Sequence, residues 1–213
     1  MDLRELKQEQ LRLAPKIILR DSFTKVKTIG AAACVSCGKD LIACVVVCGF
    51  PALTLKEKKT FLLPDPLTYV PSYEAYREMP AIIEAFNRLE EEPDILLVNG
   101  PGINHPCRFG LAAHLGLALQ KPTIGVGEKV SLGTVQQGKI MFNGELLGFE
   151  VLTREYANPL FVSPGNLISL GSVLDIVRKC LKYPHKFPEP LHLAQKLAKK
   201  EVGRILEKSK PQP

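Results

Sequence analysis

The sequence predicts an α/β fold in which one mixed sheet carries helices on its faces. Three observations support this prediction: a meander of three strands early in the chain, a later alternation of helices with buried strands, and a hairpin signal near residue 143. A chain of 213 residues is long enough for one core of this kind and too short to require two. We therefore expect a single domain over residues 1–213.

The first third of the chain contains a helix followed by the meander. Apolar residues recur at helical spacing in "LRELKQEQLRLAPKI", and two apolar strands follow, "TKVKTIGAAACVSC" and "LIACVVVCGF". A turn at Gly38-Lys39-Asp40 joins these strands, and "LTLKEKKTFLL" forms a third, more exposed strand. Three consecutive strands with short connections predict antiparallel pairing.

The middle of the chain alternates helices with buried strands. Helices are predicted at about Glu78–Glu91 and Arg108–Leu119, and strands at "DILLVNG" and "PTIGVGE". This alternation predicts parallel pairing. Farther on, "KIMFNGELLGFEVL" is expected to turn at Asn143-Gly144, a pair that favours a two-residue hairpin loop. A meander followed by alternating helices and parallel strands is the element order of a ribonuclease H-like fold.

The charges divide the chain into a neutral body and a basic C-terminus. Of the net charge of +6, none comes from residues 1–178, which hold 19 basic and 19 acidic side chains, whereas residues 179–213 hold 9 basic and 3 acidic ones. A basic helix is predicted at about 189–208, before a frayed terminus at 209–213. Its outer ridge is expected either to be solvated or to contact phosphates. The helix has an apolar stripe at Leu191, Ala194, Ala198, Val202 and Ile205, and a basic ridge at Lys196, Lys200, Arg204 and Lys208.

Composition argues against a membrane span, a secretory signal and a zinc site. No apolar run approaches the ~18 residues of a membrane helix, and the N-terminus has acidic residues but no apolar signal region. We therefore expect a cytoplasmic protein. Cys34, Cys37, Cys44 and Cys48 have the spacing of a zinc site, but both pairs lie in predicted strands. Because residues three apart in a strand point to opposite faces, we expect small buried hydrophobic residues instead.

The stretch "DILLVNGPGINHPCRFGLAAHLG" combines a buried strand, a glycine-rich turn and the start of a helix. In α/β folds, ligands bind at the C-terminal tips of such strands. Here the tip carries Asn99, and Gly100 and Gly102 follow, which allow close approach of the backbone to a ligand. His105 is expected to contact backbone or phosphate near this cleft.

Five segments resemble, in order, those of the endonuclease V family, whose members cut nucleic acid near deaminated bases such as inosine. They are "TYVPSYEAYRE", "DILLVNGPGINHPCRFGLAAHLG", "KPTIGVGEK", "NPLFVSPGNLISL" and "KFPEPLHLA", and the resemblance runs from about Leu3 to Leu206. It implies a ribonuclease H-like fold, DNA or RNA as the partner, and phosphodiester hydrolysis that depends on Mg²⁺.

The resemblance assigns metal-binding carboxylates to three positions, of which this sequence keeps one. Glu78 matches the family glutamate, whereas the two family aspartates fall at Ala32 and Asn99, and a family lysine falls at Glu128. The charges of Glu78 and Glu128 add up to −2, which equals the total charge of the three carboxylates and one lysine in the family pattern. Equal charge does not restore the near-octahedral oxygen geometry that Mg²⁺ requires. We expect Mg²⁺ to bind weakly, with Glu78 as its ligand, and nuclease activity to be weak or lost.

The resemblance also implies a set of nucleic-acid contacts. Tyr69 and Pro71 match the family's wedge, which pries the strand open beside the lesion. Ser72 replaces a family glycine, and its side chain is expected to narrow the pocket for the modified base. Arg77 is expected to contact phosphate. The other expected contacts are Gly100, Gly102, His105, Lys196, Lys200 and Arg204.

Three functions stay open from the sequence. The first is a degenerate endonuclease V-like protein that still binds nucleic acid. The second is an active nuclease in which Glu78, Glu128 and Asn99 hold the metal in a rearranged site. The third is a protein-interaction module that retains only the fold.

Overall fold

Nine strands form one mixed sheet in the order β3-β2-β1-β4-β5-β9-β8-β7-β6. The computed structural model describes residues 2–208. The strands are β1 (Thr28–Cys37), β2 (Asp40–Gly49), β3 (Leu55–Leu63), β4 (Ile95–Asn99), β5 (Thr123–Gly127), β6 (Thr134–Gln136), β7 (Lys139–Phe142), β8 (Glu145–Val151) and β9 (Leu160–Asn166). The helices are α1 (Leu3–Leu13), α2 (Glu74–Phe86), α3 (Leu111–Leu119), α4 (Leu170–Lys179) and α5 (Glu189–Lys208), and a 3-10 turn covers Ala14–Lys16.

The predicted pairing of the strands is confirmed. β2 pairs antiparallel with both β1 and β3, and β4 pairs parallel with β1 and β5. Asn143 and Gly144 have φ angles of 51° and 79°, which is the two-residue turn expected between β7 and β8. β9 returns antiparallel to β5 and completes the mixed sheet. The arrangement is the predicted ribonuclease H-like α/β fold.

The predicted start and end of α2 are wrong. The helix begins at Glu74, four residues before the predicted Glu78, because the carboxylate of Glu74 accepts the backbone N–H of Ser72 at 3.1 Å and fixes the entry. It ends at Phe86 rather than at Glu91. Glu78 consequently lies in the second turn of α2 and not at its beginning.

The predicted starts of two other elements also shift. α3 begins at Leu111 rather than Arg108, because Arg108 has a φ of 57°, outside the helical region. β1 begins at Thr28, because the carboxylate of Asp94 accepts the backbone N–H groups of Lys27 and Thr28 just before the strand.

Two apolar layers cover the faces of the sheet. One packs α4 and α5 against residues such as Ile29 and Ala31, and the other packs α2 and α3 against Ala32, Leu96 and Val98. Side chains therefore alternate between the layers along β1. All six cysteines are free; Cys37, Cys44 and Cys48 lie in the α4/α5 layer, and Cys34 packs against the α2/α3 layer.

α5 has the predicted bounds and the predicted two faces. Its stripe residues pack into the α4/α5 layer, whereas Lys196, Lys200 and Arg204 are exposed. The side chain of Lys208 and residues 209–213 lie outside the described residues. None of the described helices is long and apolar enough to cross a membrane.

The turn after β4 is fixed against β9. The N–H of Gly102 donates to Oγ of Ser163 at 3.0 Å, and the N–H of Ile103 donates to the carbonyl of Pro164 at 2.8 Å. A Cβ atom at Gly102 would lie 2.1 Å from that carbonyl oxygen. The glycine is therefore required by contact with the protein's own backbone, and Gly102 is buried.

We predict that Gly102→Ala destabilises the fold by about 3 kcal/mol, because β9 must move away from the turn. Gly203→Ala is the matched control: a Cβ atom there meets nothing within 4 Å, and alanine in a helix stabilises by up to about 1 kcal/mol relative to glycine. Urea unfolding of both variants measures the difference. Equal stability of the two variants would contradict this account of the turn.

Candidate nucleic-acid site

A cavity of about 540 Å³ opens where β4 and β5 end. Its walls are residues 69–74, which we call the wedge segment, the turn after β4, the loop after β5, and two residues of β9, Phe161 and Ser163. The C-terminal ends of parallel strands are the usual ligand sites of α/β sheets. The cavity therefore lies where the sequence predicts a site.

Glu74 holds the wedge segment in place. Its Oε1 accepts the hydroxyl of Tyr69 at 3.3 Å and the N–H of Ser72 at 3.1 Å. Burial and the Glu74 carboxylate raise the pKa of Tyr69, so the phenol keeps its proton. The Tyr69 residue is 55% exposed, which leaves its ring at the mouth of the cavity, available for stacking on a base.

Ser72 has a strained backbone that buried side chains support. Its φ is 70°, a left-handed conformation that is disfavoured for any residue with a Cβ atom. The Ser72 carbonyl accepts Nε2 of Gln10 and Nε2 of His105, both at 2.9 Å. Ser72 lines the cavity, at the position where the family resemblance has glycine.

His105 is buried and supports the wedge segment through a hydrogen bond to Ser72. Its Nδ1 accepts the N–H of Cys107 at 3.2 Å, so Nε2 carries the proton that is donated to Ser72. Burial lowers the pKa of His105, which favours this neutral form. Of the two contacts expected for His105, backbone or phosphate, the structure contains the backbone contact.

Two of the substituted positions line the cavity. Asn99 ends β4, and Glu128 follows β5 and forms an ion pair with Lys186 from the segment between α4 and α5. Lys186 therefore offsets the charge of Glu128, and the sum of −2 taken from the sequence does not include this partner. The adjacent Lys129 is exposed and lines the cavity. Among residues 2–208 it has no ion-pair partner within 4.0 Å.

Glu78 and Ala32 are not among the residues that line the cavity. Glu78 is partly buried, and the thiol of Cys34 in β1 lies near its carboxylate. Burial and the carboxylate of Glu74 raise the pKa of Glu78 to about 7. Burial, together with Glu78, raises the pKa of the Cys34 thiol. Ala32 is fully buried in the α2/α3 layer.

The side chains do not fit the Mg²⁺ that the resemblance implies. Within the described part of the chain, no three His, Cys, Asp or Glu residues are grouped so that they could hold a metal ion. Mg²⁺ requires several oxygen ligands in near-octahedral geometry. Ala32 supplies none, and Asn99 supplies only a neutral amide oxygen. The carboxylate of Glu74 already accepts two hydrogen bonds.

Other predicted contact residues have structural partners. Arg77 donates through Nη1 to the carbonyl of Leu67 and so holds the chain that leads into the wedge segment. The N–H of Gly100 donates to the carbonyl of Val126 at 3.0 Å. Gly100 therefore connects the end of β4 to β5, and Gly102 connects the turn after β4 to β9. The basic ridge belongs to α5, which packs on the face of the sheet opposite to the face that α2 covers.

Sequence reasoning missed several side chains of the cavity. Asn104 is buried, and its Oδ1 accepts the N–H of Leu132 at 2.9 Å, which fixes the loop after β5. Its only signal in the sequence is a polar residue inside the glycine-rich turn. The other missed residues that line the cavity include Lys129, Ser131, Phe161 and Ser163.

Similarity to known proteins extends over almost the whole chain. The family described as Endonuclease V matches residues 11–196. The chain is 32% identical over 206 residues to endonuclease V of Dictyoglomus turgidum, covering 93% of this chain and 90% of that protein. It is 34% identical over 213 residues to endonuclease V of Rippkaea orientalis, covering 95% and 93%.

Two solved structures show the same architecture. Ciona intestinalis endonuclease V, in complex with a 24mer DNA containing an inosine followed by a ribo-adenosine, has a TM-score of 0.87 at 27% identity, covering 95% of this chain and 98% of that one. Bacillus subtilis endonuclease V has a TM-score of 0.87 at 26% identity, covering 98% and 95%. Fold, order of segments and sequence identity agree, and the chain belongs to the endonuclease V family.

Proposed function

We propose that this protein binds nucleic acid that contains a deaminated base, and that it hydrolyses the strand weakly or not at all. One observation carries the proposal: the cavity keeps its wedge segment and its exposed Tyr69, whereas alanine and asparagine occupy two of the three carboxylate positions. The complex of the Ciona relative with inosine-containing DNA supports the choice of ligand.

The substitutions favour binding that does not need a metal. Carboxylates that face a phosphate repel it unless a cation lies between them. With Ala32 and Asn99 this repulsion is reduced, and an asparagine amide can also donate a hydrogen bond to phosphate or to a base edge. The ion pair of Glu128 with Lys186 and the exposed Lys129 leave the rim of the cavity without a net negative charge.

The same substitutions weaken hydrolysis. Bound Mg²⁺ supplies an activated water and stabilises the leaving oxygen, and it needs more oxygen ligands than Glu78 and Asn99 offer. A rearranged site that uses Glu78, Glu128 and Asn99 is disfavoured because Glu128 is paired with Lys186 and Glu78 does not line the cavity that Asn99 and Glu128 line. We infer that the basic ridge of α5 contributes long-range attraction.

We predict that an inosine-containing single strand binds equally well in Mg²⁺ and in EDTA. We also predict that Mg²⁺ alone binds with a Kd above about 1 mM. Fluorescence anisotropy measures the first and isothermal titration calorimetry the second. A Kd well below millimolar that is lost in Glu78→Ala would show that a functional metal site remains.

Tyr69→Leu is predicted to weaken binding of the inosine strand by about 5- to 100-fold, because stacking of one base is lost. Tyr69→Phe retains the ring and removes only the hydroxyl that contacts Glu74, so its affinity is expected to stay near that of the parent. Anisotropy titrations of the three proteins test this. Equal affinity of the Leu variant and the parent would exclude base stacking by Tyr69.

Restoring the carboxylates is predicted to restore hydrolysis. Ala32→Asp with Asn99→Asp gives three carboxylates with Glu78, and no change at Glu128 is needed because Lys186 balances it. We expect Mg²⁺-dependent cleavage of a labelled inosine strand to rise at least about tenfold above the parent.

The uncharged control for this restoration is Ala32→Asn, which introduces a side chain of similar size into the α2/α3 layer and leaves Asn99 unchanged. Thermal unfolding with and without Mg²⁺ verifies that each variant folds, since an aspartate at position 32 enters a buried layer. A parent that already cleaves as fast as the double aspartate variant would overturn the proposed loss of activity.

A further inference from the structure

Two tyrosines form the most exposed aromatic surface of the described chain. The residues Tyr156 and Tyr183 are 98% and 87% exposed, the highest values among the large hydrophobic residues of the described part of the chain. They come from separate segments but line one depression of about 440 Å³ together with Arg154, Glu155 and Pro184. We call these five residues the tyrosine patch. Apolar surface of this kind is typical of a binding site.

The backbone fixes the geometry of the patch. Nη1 of Arg154 donates to the carbonyl of Pro184 at 3.3 Å, which joins the segment between β8 and β9 to the segment between α4 and α5. Tyr156 has a φ of 59°, and the N–H of Ala157 donates to the carbonyl of Arg154 at 3.4 Å. The left-handed conformation of a bulky residue is unfavourable by itself, so local contacts must maintain it.

Charge and position indicate which ligand the patch suits. Arg154 lines the depression beside Glu155, and Lys182 immediately precedes Tyr183 in the chain. Lys186 reaches the cavity through its ion pair with Glu128, so the segment that carries Tyr183 also contacts the rim of the cavity. Exposed aromatic rings between cations are the usual surface for unpaired nucleotides, because bases stack on rings and phosphates meet cations.

We propose that the tyrosine patch binds unpaired nucleotides that flank the modified base, with bases stacked on Tyr156 and Tyr183. The inference rests on the proposed function for the strand that occupies the cavity. The protein would then bind a longer stretch of single strand than the cavity alone accommodates. This binding also explains why Tyr183 lies on the same segment as Lys186, which reaches Glu128.

The test compares four labelled oligonucleotides by fluorescence anisotropy: a short inosine-containing core, the same core extended by six thymidines on its 5′ side, the core extended by six thymidines on its 3′ side, and an inosine-free thymidine 12mer. One of the two extensions is expected to tighten binding by about tenfold relative to the core, because its added bases stack on the rings of Tyr156 and Tyr183. In the double variant Tyr156→Leu/Tyr183→Leu, this gain and the binding of the 12mer should be lost, while the core binds as before.

Two controls separate stacking from other effects. Tyr156→Phe/Tyr183→Phe keeps the rings and should keep the gain. Phe142→Leu removes a 37% exposed aromatic residue on the hairpin of β7 and should change nothing. Because Tyr156 and Tyr183 are almost fully exposed, the variants are expected to fold, which circular dichroism verifies.

The outcomes distinguish the two proposals. If the core fails to bind but the 12mer binds in a tyrosine-dependent way, the proposed function fails and the patch is confirmed as a single-strand site. If the core binds, and neither extension nor the 12mer depends on the tyrosines, the patch proposal is overturned and the proposed function is unaffected. If no oligonucleotide binds, both fail.

Discussion

The hydrogen bond from the buried His105 to the carbonyl of Ser72 is the contact on which the cavity depends. It links the turn after β4 to the wedge segment, and Gln10 of α1 donates to the same carbonyl. One oxygen atom thus joins three parts of the chain that are distant in sequence. Because Ser72 is held in a disfavoured backbone conformation, losing either donor would remove a contact that, together with the Glu74 carboxylate, holds the segment that carries Tyr69.

Local signals were sufficient to predict seven of the nine strands, but not β6 or β9. Gly38 and the pair Asn143-Gly144 mark tight turns that the structure contains, and the alternation along β1 separates Ala31 from Ala32 as the pattern requires. The start of α2 was not predictable in this way. It depends on the Glu74 carboxylate accepting the N–H of Ser72, and a glutamate in the sequence does not reveal which donor it will meet.

The site was predicted as a set of positions, without their partners. Family resemblance marked Asn99 and Glu128, and both line the cavity. The role of Lys186 was invisible, because it lies 58 positions after Glu128 and no local pattern connects them. The patch formed by Tyr156 and Tyr183 was missed for the same reason, since tertiary structure alone brings their two segments together.

The elements proposed to position a nucleic acid differ from those that would hydrolyse it. The wedge segment and the turn after β4 are stabilised by Glu74, His105 and Ser163, none of which occupies a substituted position. Ala32 instead packs in a dry apolar layer, where an alanine avoids the free-energy cost of burying a carboxylate. Under the proposed function, alanine and asparagine at these positions would reduce charge repulsion and desolvation without disturbing the contacts that shape the cavity. A chain of this family could then lose hydrolysis and still bind a strand, because separate residues would serve the two tasks.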